Sequence, residues 1–168
     1  MRKIIGTLLF LSVWWVMGGL VACSGASPDQ PPKIRYGEDM CDECKMLISE
    51  ARFAAAYITE NGDVRRFDDI GGMFVYHQKH MEPVARYWVH DYKTSIWIRG
   101  DQAVYVHSPN IQTPMGYGVV AFKNRSDAES FASEKGGKIL TLQDLLANPP
   151  QPMMGGKMKM PMKGGVTP

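Results

Sequence analysis

The sequence predicts an α+β fold, two ββαβ-like units packed as a single small domain, and three observations carry that expectation. A succession of strand, strand, helix and strand is legible twice between Phe53 and Leu142. The helical stretches show apolar residues at helical spacing, while the stretches beside them are short apolar runs cut by Gly, Asn and Asp. The chain has 168 residues, 45% of them hydrophobic and 21% charged. That leaves room for one modest core and excludes both a chain disordered throughout and a polytopic membrane protein.

The first unit opens with Phe53 to Ile58, rich in Ala and aromatic residues. The turn pair Asn61-Gly62 and a second run from Val64 to Phe67 complete a β-hairpin. Asp68 and Asp69 then supply helix caps. Ile70, Met73, Phe74, His77 and Met81 share one helical face, and Pro83 bounds that helix. The stripe assigns Met73 and Met81 to the core and makes His77 a packed histidine. Arg86 to His90 closes the unit as a strand. In the second unit, Ile96 to Ile98 and Ala103 to His107 read as strands around Gly100-Asp101, followed by a strand from Val119 to Phe122. Ser126 to Glu129 fits a capping box for a helix that buries Ala128, Phe131 and Ala132. Gly136-Gly137 stops it, and Lys138 to Leu142 reads as the last strand.

Both ends read as something other than core. Arg2 and Lys3 precede an apolar run from Ile4 to Met17, the charged and hydrophobic parts of a secretory signal. The run is too short for a permanent span. It ends in Gly18-Gly19-Leu20-Val21-Ala22-Cys23, the pattern of a bacterial lipobox in which Cys23 takes the lipid and becomes the new amino terminus. Residues 1–22 are expected to leave as signal peptide and residues 23–36 to form a flexible lipidated tether. Ser24 after the Cys favours the outer membrane. Residues 37–148 form the folded domain on this reading. Residues 149–168 hold five Met, five Pro, four Gly and three Lys, and read as a disordered tail. The net charge of +2 rests on Arg2 and Lys3. Without residues 1–22, acids and bases are equal in number, so the basic excess that a nucleic-acid partner needs is missing.

Three cysteines and twelve methionines stand out from this balance. With Cys23 committed to lipid, Cys41 and Cys44 remain as thiols outside the cytoplasm, where a disulfide, a metal site and a redox centre are all open readings. Met40-Cys41-Asp42-Glu43-Cys44-Lys45-Met46 brings two thiols within reach of one ion and adds thioethers, soft ligands that suit Cu(I). Zinc wants four Cys or His donors, and no second CxxC supplies them. Gln112-Thr113-Pro114-Met115-Gly116 presents Met115 in a turn. His107, eight residues before Met115, is a supplementary donor ranked above His77 and His90 and below the sulfurs. Met153, Met154, Met158, Met160 and Met162 of the tail are candidate transient Cu(I) ligands. Two other classes compete. A thiol–disulfide oxidoreductase would pair the CxxC with the Thr-Pro loop, yet the strand that should precede the CxxC is absent. A structural lipoprotein stapled by a Cys41–Cys44 disulfide would hold no metal.

Cys41-x-x-Cys44-x-Met46, Thr113-Pro114-Met115-Gly116 before Val120-Ala121-Phe122, and Gly136-Gly137-Lys138-Ile139-Leu140 together resemble the NosL family, lipoprotein accessory factors of nitrous oxide reductase assembly, over residues 39–146. The resemblance implies a monomeric periplasmic Cu(I) chaperone, not an enzyme, with two ββαβ units related to the fold of the organomercurial lyase. It further implies delivery of copper to nitrous oxide reductase, in denitrification, through a periplasmic partner of an ABC-type maturation complex. By motif, Cys44, Met46 and Met115 are the implied copper ligands, with Cys41 behind them. The chain departs from the family at Lys45, where Gly is frequent, and in its Met-rich tail.

Overall fold

The computed structural model describes residues 25–153. The expected signal peptide, Cys23, Met154, Met158, Met160 and Met162 lie outside the described residues.

β1 (Ala55–Thr59) is buried along its whole length because it has a partner on each side. It pairs antiparallel with β2 (Val64–Phe67) and with β3 (Val84–His90), and β4 (Trp97–Arg99) adds to the outside of β3. The β1–β2 turn needs one left-handed residue and takes Gly62, at φ 85°. α1 (Ile70–His80) follows, and Asp69 caps it by accepting the Gly71 N–H at 2.9 Å. Ile70, Met73 and Phe74 bury its first turns against the sheet. Met81 departs from the expected core stripe. It is the left-handed C-cap, φ 52°, with its N–H on the His77 carbonyl, and this turns its side chain outward to 73% exposure.

The second unit contains β5 (Val104–His107), β6 (Val119–Phe122), α2 (Arg125–Lys135) and β7 (Lys138–Leu140), in the sheet order β6-β5-β7. The two ββαβ units are therefore β1-β2-α1-β3 and β5-β6-α2-β7. β4 and β5 do not form the hairpin that the Gly100-Asp101 turn suggested. A 3-10 turn at Gly100–Gln102 carries the chain from one sheet to the other. It fits there because a Cβ on Gly100 would stand 2.7 Å from Tyr87 Cβ, while the Tyr105 hydroxyl donates to the Gly100 carbonyl at 2.9 Å. The expected capping box at Ser126 also moves. α2 starts two residues earlier, with Asn124 as its N-cap and no side-chain cap bond. The box is formed instead by Thr141 and Asp144, which ends β7 and opens a third helix, α3 (Leu142–Ala147), where a strand had been expected to run to Leu142.

Asp91, at the end of β3, joins the sheets. It forms a parallel bridge with Ala121, its carboxylate accepts the Lys123 N–H at 2.8 Å, and Tyr92 N–H reaches the Ala121 carbonyl at 2.8 Å. One core cluster spans both sheets beneath α1, with Tyr57, Phe74, Val89, Tyr105 and Val119, and a second lies under α2 around Val106, Phe122 and Ala128.

The ends of the described chain lie on this core. Residues 25–36, expected as a tether, run along the first sheet: Ala26 N–H bonds the Gly62 carbonyl at 3.0 Å, and Pro32 and Ile34 are buried. Tyr36 donates to His90 Nε2 at 3.0 Å, and His90 Nδ1–H donates to the Ala54 carbonyl at 2.8 Å. Residues 149–153 likewise dock, with Pro150 buried and Met153 N–H bonded to the Gly116 carbonyl.

Burial lowers the pKa of His77, His90 and His107, with nearby Lys138 adding to the effect at His107. The folded protein thus holds them neutral where the unfolded chain takes up protons, below about 6.5. Since the unfolded state binds more protons there, stability is full above that pH and falls as acid is added. The urea midpoint is expected to drop between pH 7.5 and pH 5.0; an unchanged midpoint is the contrary result.

Candidate metal centre

The CxxC lies in a short hairpin, closed by a bridge between Met40 and Leu47 and by the Cys41 N–H on the Met46 carbonyl at 2.8 Å. Lys45 turns the chain at φ 62°, with its N–H on the Cys41 carbonyl at 2.9 Å. A left-handed non-glycine residue is costly, so this position favours Gly on conformational grounds. The two residues between the cysteines fix the hairpin to the domain. Asp42 exchanges two bonds with the Arg66 backbone of β2, each 2.8 Å, and Glu43 pairs with Lys79 of α1.

Two consecutive acids where β2 passes into α1 then position the donors. Asp68, 3% exposed, accepts from the Cys44 thiol at 3.7 Å, and the Cys44 N–H points to Cys41 Sγ at 3.5 Å. One donor atom from each of Cys41, Cys44 and Asp68 lies within 4.8 Å of the other two, and both cysteines are free thiols. Cys41 is fully buried, and burial pushes its thiol up to about 12, so it holds its proton at neutral pH until a cation displaces it. Asp69, also fully buried, faces the other loop. It accepts the Thr113 hydroxyl at 2.5 Å and the Met115 N–H at 3.0 Å in addition to the Gly71 N–H, and Thr113 Oγ1 in turn accepts the Gly118 N–H at 3.1 Å. Burial raises the Asp69 pKa, and these three bonds oppose the rise.

Gly71 and Gly72 make the floor on which that loop rests. A Cβ on Gly72 would stand 3.2 Å from the Met115 sulfur, and one on Gly71 would collide with Tyr117 Cβ at 2.2 Å. Tyr117 is buried, and its hydroxyl is pushed up to about 12 by burial and then by the charges of Glu43, Asp69, Cys41 and Cys44. It packs on Gly71 and Gly72 of α1.

Of the sequence candidates, Cys41 and Cys44 come together, and Cys44 and Met115 pack against the same core cluster. Met46 is opposite Cys41 on the hairpin, with its side chain 53% exposed. His107 is not in the three-donor cluster; it sits on β5 between Val119 and Lys138, with Nε2 buried and without a hydrogen-bond partner. His90 is satisfied at both nitrogens. Asp68 was missed as a donor because it reads as a cap. The signal was that one cap suffices for one helix, so a buried Asp-Asp pair carries a surplus acid. Gly71 and Gly72 were also missed, although two glycines in a first turn cost helix stability and imply something resting on them.

The NosL family model matches residues 34–148. The chain belongs to the NosL family. A relative from Stutzerimonas stutzeri, "Copper-binding lipoprotein NosL", is 23% identical over 150 residues, which cover 83% of this chain and 79% of the relative. The crystal structure of the copper chaperone NosL from Shewanella denitrificans superposes with a TM-score of 0.60 at 23% identity, over 70% of this chain and 96% of that one. The α+β arrangement is therefore the NosL fold.

Replacing Asp69 with Ala removes three accepted hydrogen bonds from a buried site and is expected to destabilise the protein by about 2–4 kcal/mol in urea unfolding. At Lys45, Gly is expected to change stability by less than about 0.5 kcal/mol, since relief of strain and added freedom of the unfolded chain offset each other. Val at the same place costs about 1 kcal/mol or more, and equal stability of the two variants contradicts the strain argument.

Proposed function

We propose that this chain is a membrane-anchored Cu(I) chaperone of the cell envelope. The observation that supports it is the convergence of two cysteine sulfurs and a buried carboxylate within 4.8 Å, beside a loop that carries a thioether. Soft thiolate and thioether donors select Cu(I), and the names of both relatives refer to copper. Cys44 supplies the charge and most of the affinity. Met46 and Met115 supply selectivity and exchangeable bonds, Cys41 assists once its proton is displaced, and His107 is at most a supplementary donor. Asp68 accepts a hydrogen bond from the Cys44 thiol and so orients its sulfur toward Cys41.

Transfer in this reading is ligand exchange. A low-coordinate Cu(I) on one thiolate and two thioethers is open to an incoming sulfur, and the exposed Met46 gives the partner an edge to attack. The recipient we propose is nitrous oxide reductase, in denitrification, reached through a periplasmic partner of an ABC-type complex, with the chaperone acting as a monomer. Lipid on Cys23 would hold the chain at a membrane facing the periplasm, the outer one in a Gram-negative cell. Among the described residues no helix is long and apolar enough to cross a membrane. The oxidoreductase reading loses support because the CxxC occupies a hairpin turn and not the first turn of a helix, where the dipole would activate a thiol.

A Cu(I) competition titration under reducing, anaerobic conditions tests the assignment. Cys44→Ser is expected to abolish stoichiometric binding, Asp68→Asn to weaken it by about tenfold or more, and His107→Ala to weaken it less than loss of Cys44, Met46 or Met115. Undiminished binding by Cys44→Ser overturns the reading.

A further inference from the structure

Residues 25–36 set how far the domain can stand from its anchor. Gly25 crosses the β1–β2 turn backbone against backbone. A Cβ on Gly62 would stand 2.7 Å from Gly25 Cα, and one on Gly25 would stand 3.1 Å from Gly62 Cα, so the crossing has no room for a side chain at either place. Ala26 N–H closes it on the Gly62 carbonyl at 3.0 Å. Further along, Asp29 pairs with Arg86 of β3 at 3.5 Å, the Lys33 carbonyl accepts from Arg66 Nε at 3.0 Å, and Pro32 and Ile34 are buried. The segment is therefore fastened to the sheet at several points. Cys23 precedes Gly25 by two residues, and that length of chain reaches no more than about 7 Å. A lipid on Cys23 is thus confined to the neighbourhood of the β1–β2 turn.

The same end of the sheet carries an apolar side chain that the fold leaves in water. Glu60 N–H bonds the Pro83 carbonyl at 2.9 Å, which ties the connection from α1 to β3 to the β1–β2 turn. Met81, in that connection, is more exposed than any other large apolar side chain among the described residues. Exposed Glu60 and Asp63 stand against exposed Lys79 and His80 there, so this end offers no basic excess to anionic headgroups. The copper centre lies at the other end. β2 runs from Val64, beside the turn, to Phe67, and Asp68 follows. At about 3.3 Å per residue, the stretch from Gly62 to Asp68 separates the centre from the turn by about 20 Å.

We infer that the end of the first sheet formed by the β1–β2 turn and Met81 faces the lipid bilayer, which holds the copper centre at the far end, about 20 Å off the membrane. This rests on the proposed lipid anchor at Cys23. The domain is carried as a docked body and does not swing on a tether. Met81 enters the headgroup layer beside the lipid, and the contact draws on apolar burial and the anchor, not on attraction between opposite charges. A recipient of copper then meets the centre clear of the membrane, so the surface that docks there belongs to a domain standing in the aqueous phase and not to a membrane-embedded one.

The experiment places the mature lipidated chain in phosphatidylcholine nanodiscs, with and without a lipid whose headgroup chelates gadolinium, and follows the backbone amides by NMR after mass spectrometry of Cys23. The Asn61, Gly62 and Met81 amide signals are expected to be lost to paramagnetic broadening, while those of Cys41 to Met46 persist. A Gly-Ser insert of about ten residues between Ser24 and Gly25 is expected to bring both sets to equal broadening, with Cu(I) affinity unchanged. Equal broadening without the insert, stronger broadening at Cys41 to Met46, or a difference that survives the insert overturns the inference and leaves the anchored chaperone standing. A mature chain without lipid on Cys23 overturns the anchored reading, and the inference with it.

Discussion

The centre depends on two neighbouring carboxylates that are buried and serve different loops. Asp68 turns to the cysteine hairpin and Asp69 to the Thr113–Gly118 loop. The backbone fixes the spacing of adjacent residues, so these two carboxylates hold the two loops, far apart in sequence, in register to one another. Burying two acids side by side is unfavourable unless each is satisfied. Asp69 meets that condition with three donors, one of them the first turn of α1.

The surroundings restrict motion where the donors need it least. Asp42 and Glu43 are tied to β2 and α1, which holds the cysteine hairpin from beneath. Gly71 and Gly72 let the second loop approach α1 closely enough for Tyr117 and the Met115 sulfur to rest on it. Of the four sulfurs proposed as donors, Cys41, Cys44, Met46 and Met115, Met46 alone is exposed. The result is a deep side built of thiols and carboxylate, and a shallow side built of a thioether.

Much of this was legible in the residues. The succession of strands and helices, the Gly62 turn, the core role of Met73 and the pairing of Cys41 with Cys44 all follow from local periodicity and spacing, which act over a few residues. The features that were not legible depend on tertiary contact. Whether β4 joins β3 or β5 is decided by Gly100 packing against Tyr87 and Tyr105. Thr141 with Asp144 forms the capping box that Ser126 with Glu129 appeared equally able to form, since a cap is realised only where the chain leaves the helix direction. Met81 kept the helical spacing but fell one residue past the helix end. Asp68 looked like a cap because a cap and a donor use the same carboxylate, and only the fold brings the sulfurs beside it.

Asp69 belongs to the first ββαβ unit, and Thr113 and Met115 belong to the connection between β5 and β6 of the second. A cation shared by Cys44 and Met115 would therefore bridge the two units along the same line as the Asp69 hydrogen bonds. Whatever free energy such a cargo contributes by binding is also free energy that resists separation of the units. Loading and folding would then be two readings of a single quantity, and a recipient that removes the ion would also leave the empty carrier easier to open, so that protease resistance becomes a gauge of whether the carrier is full.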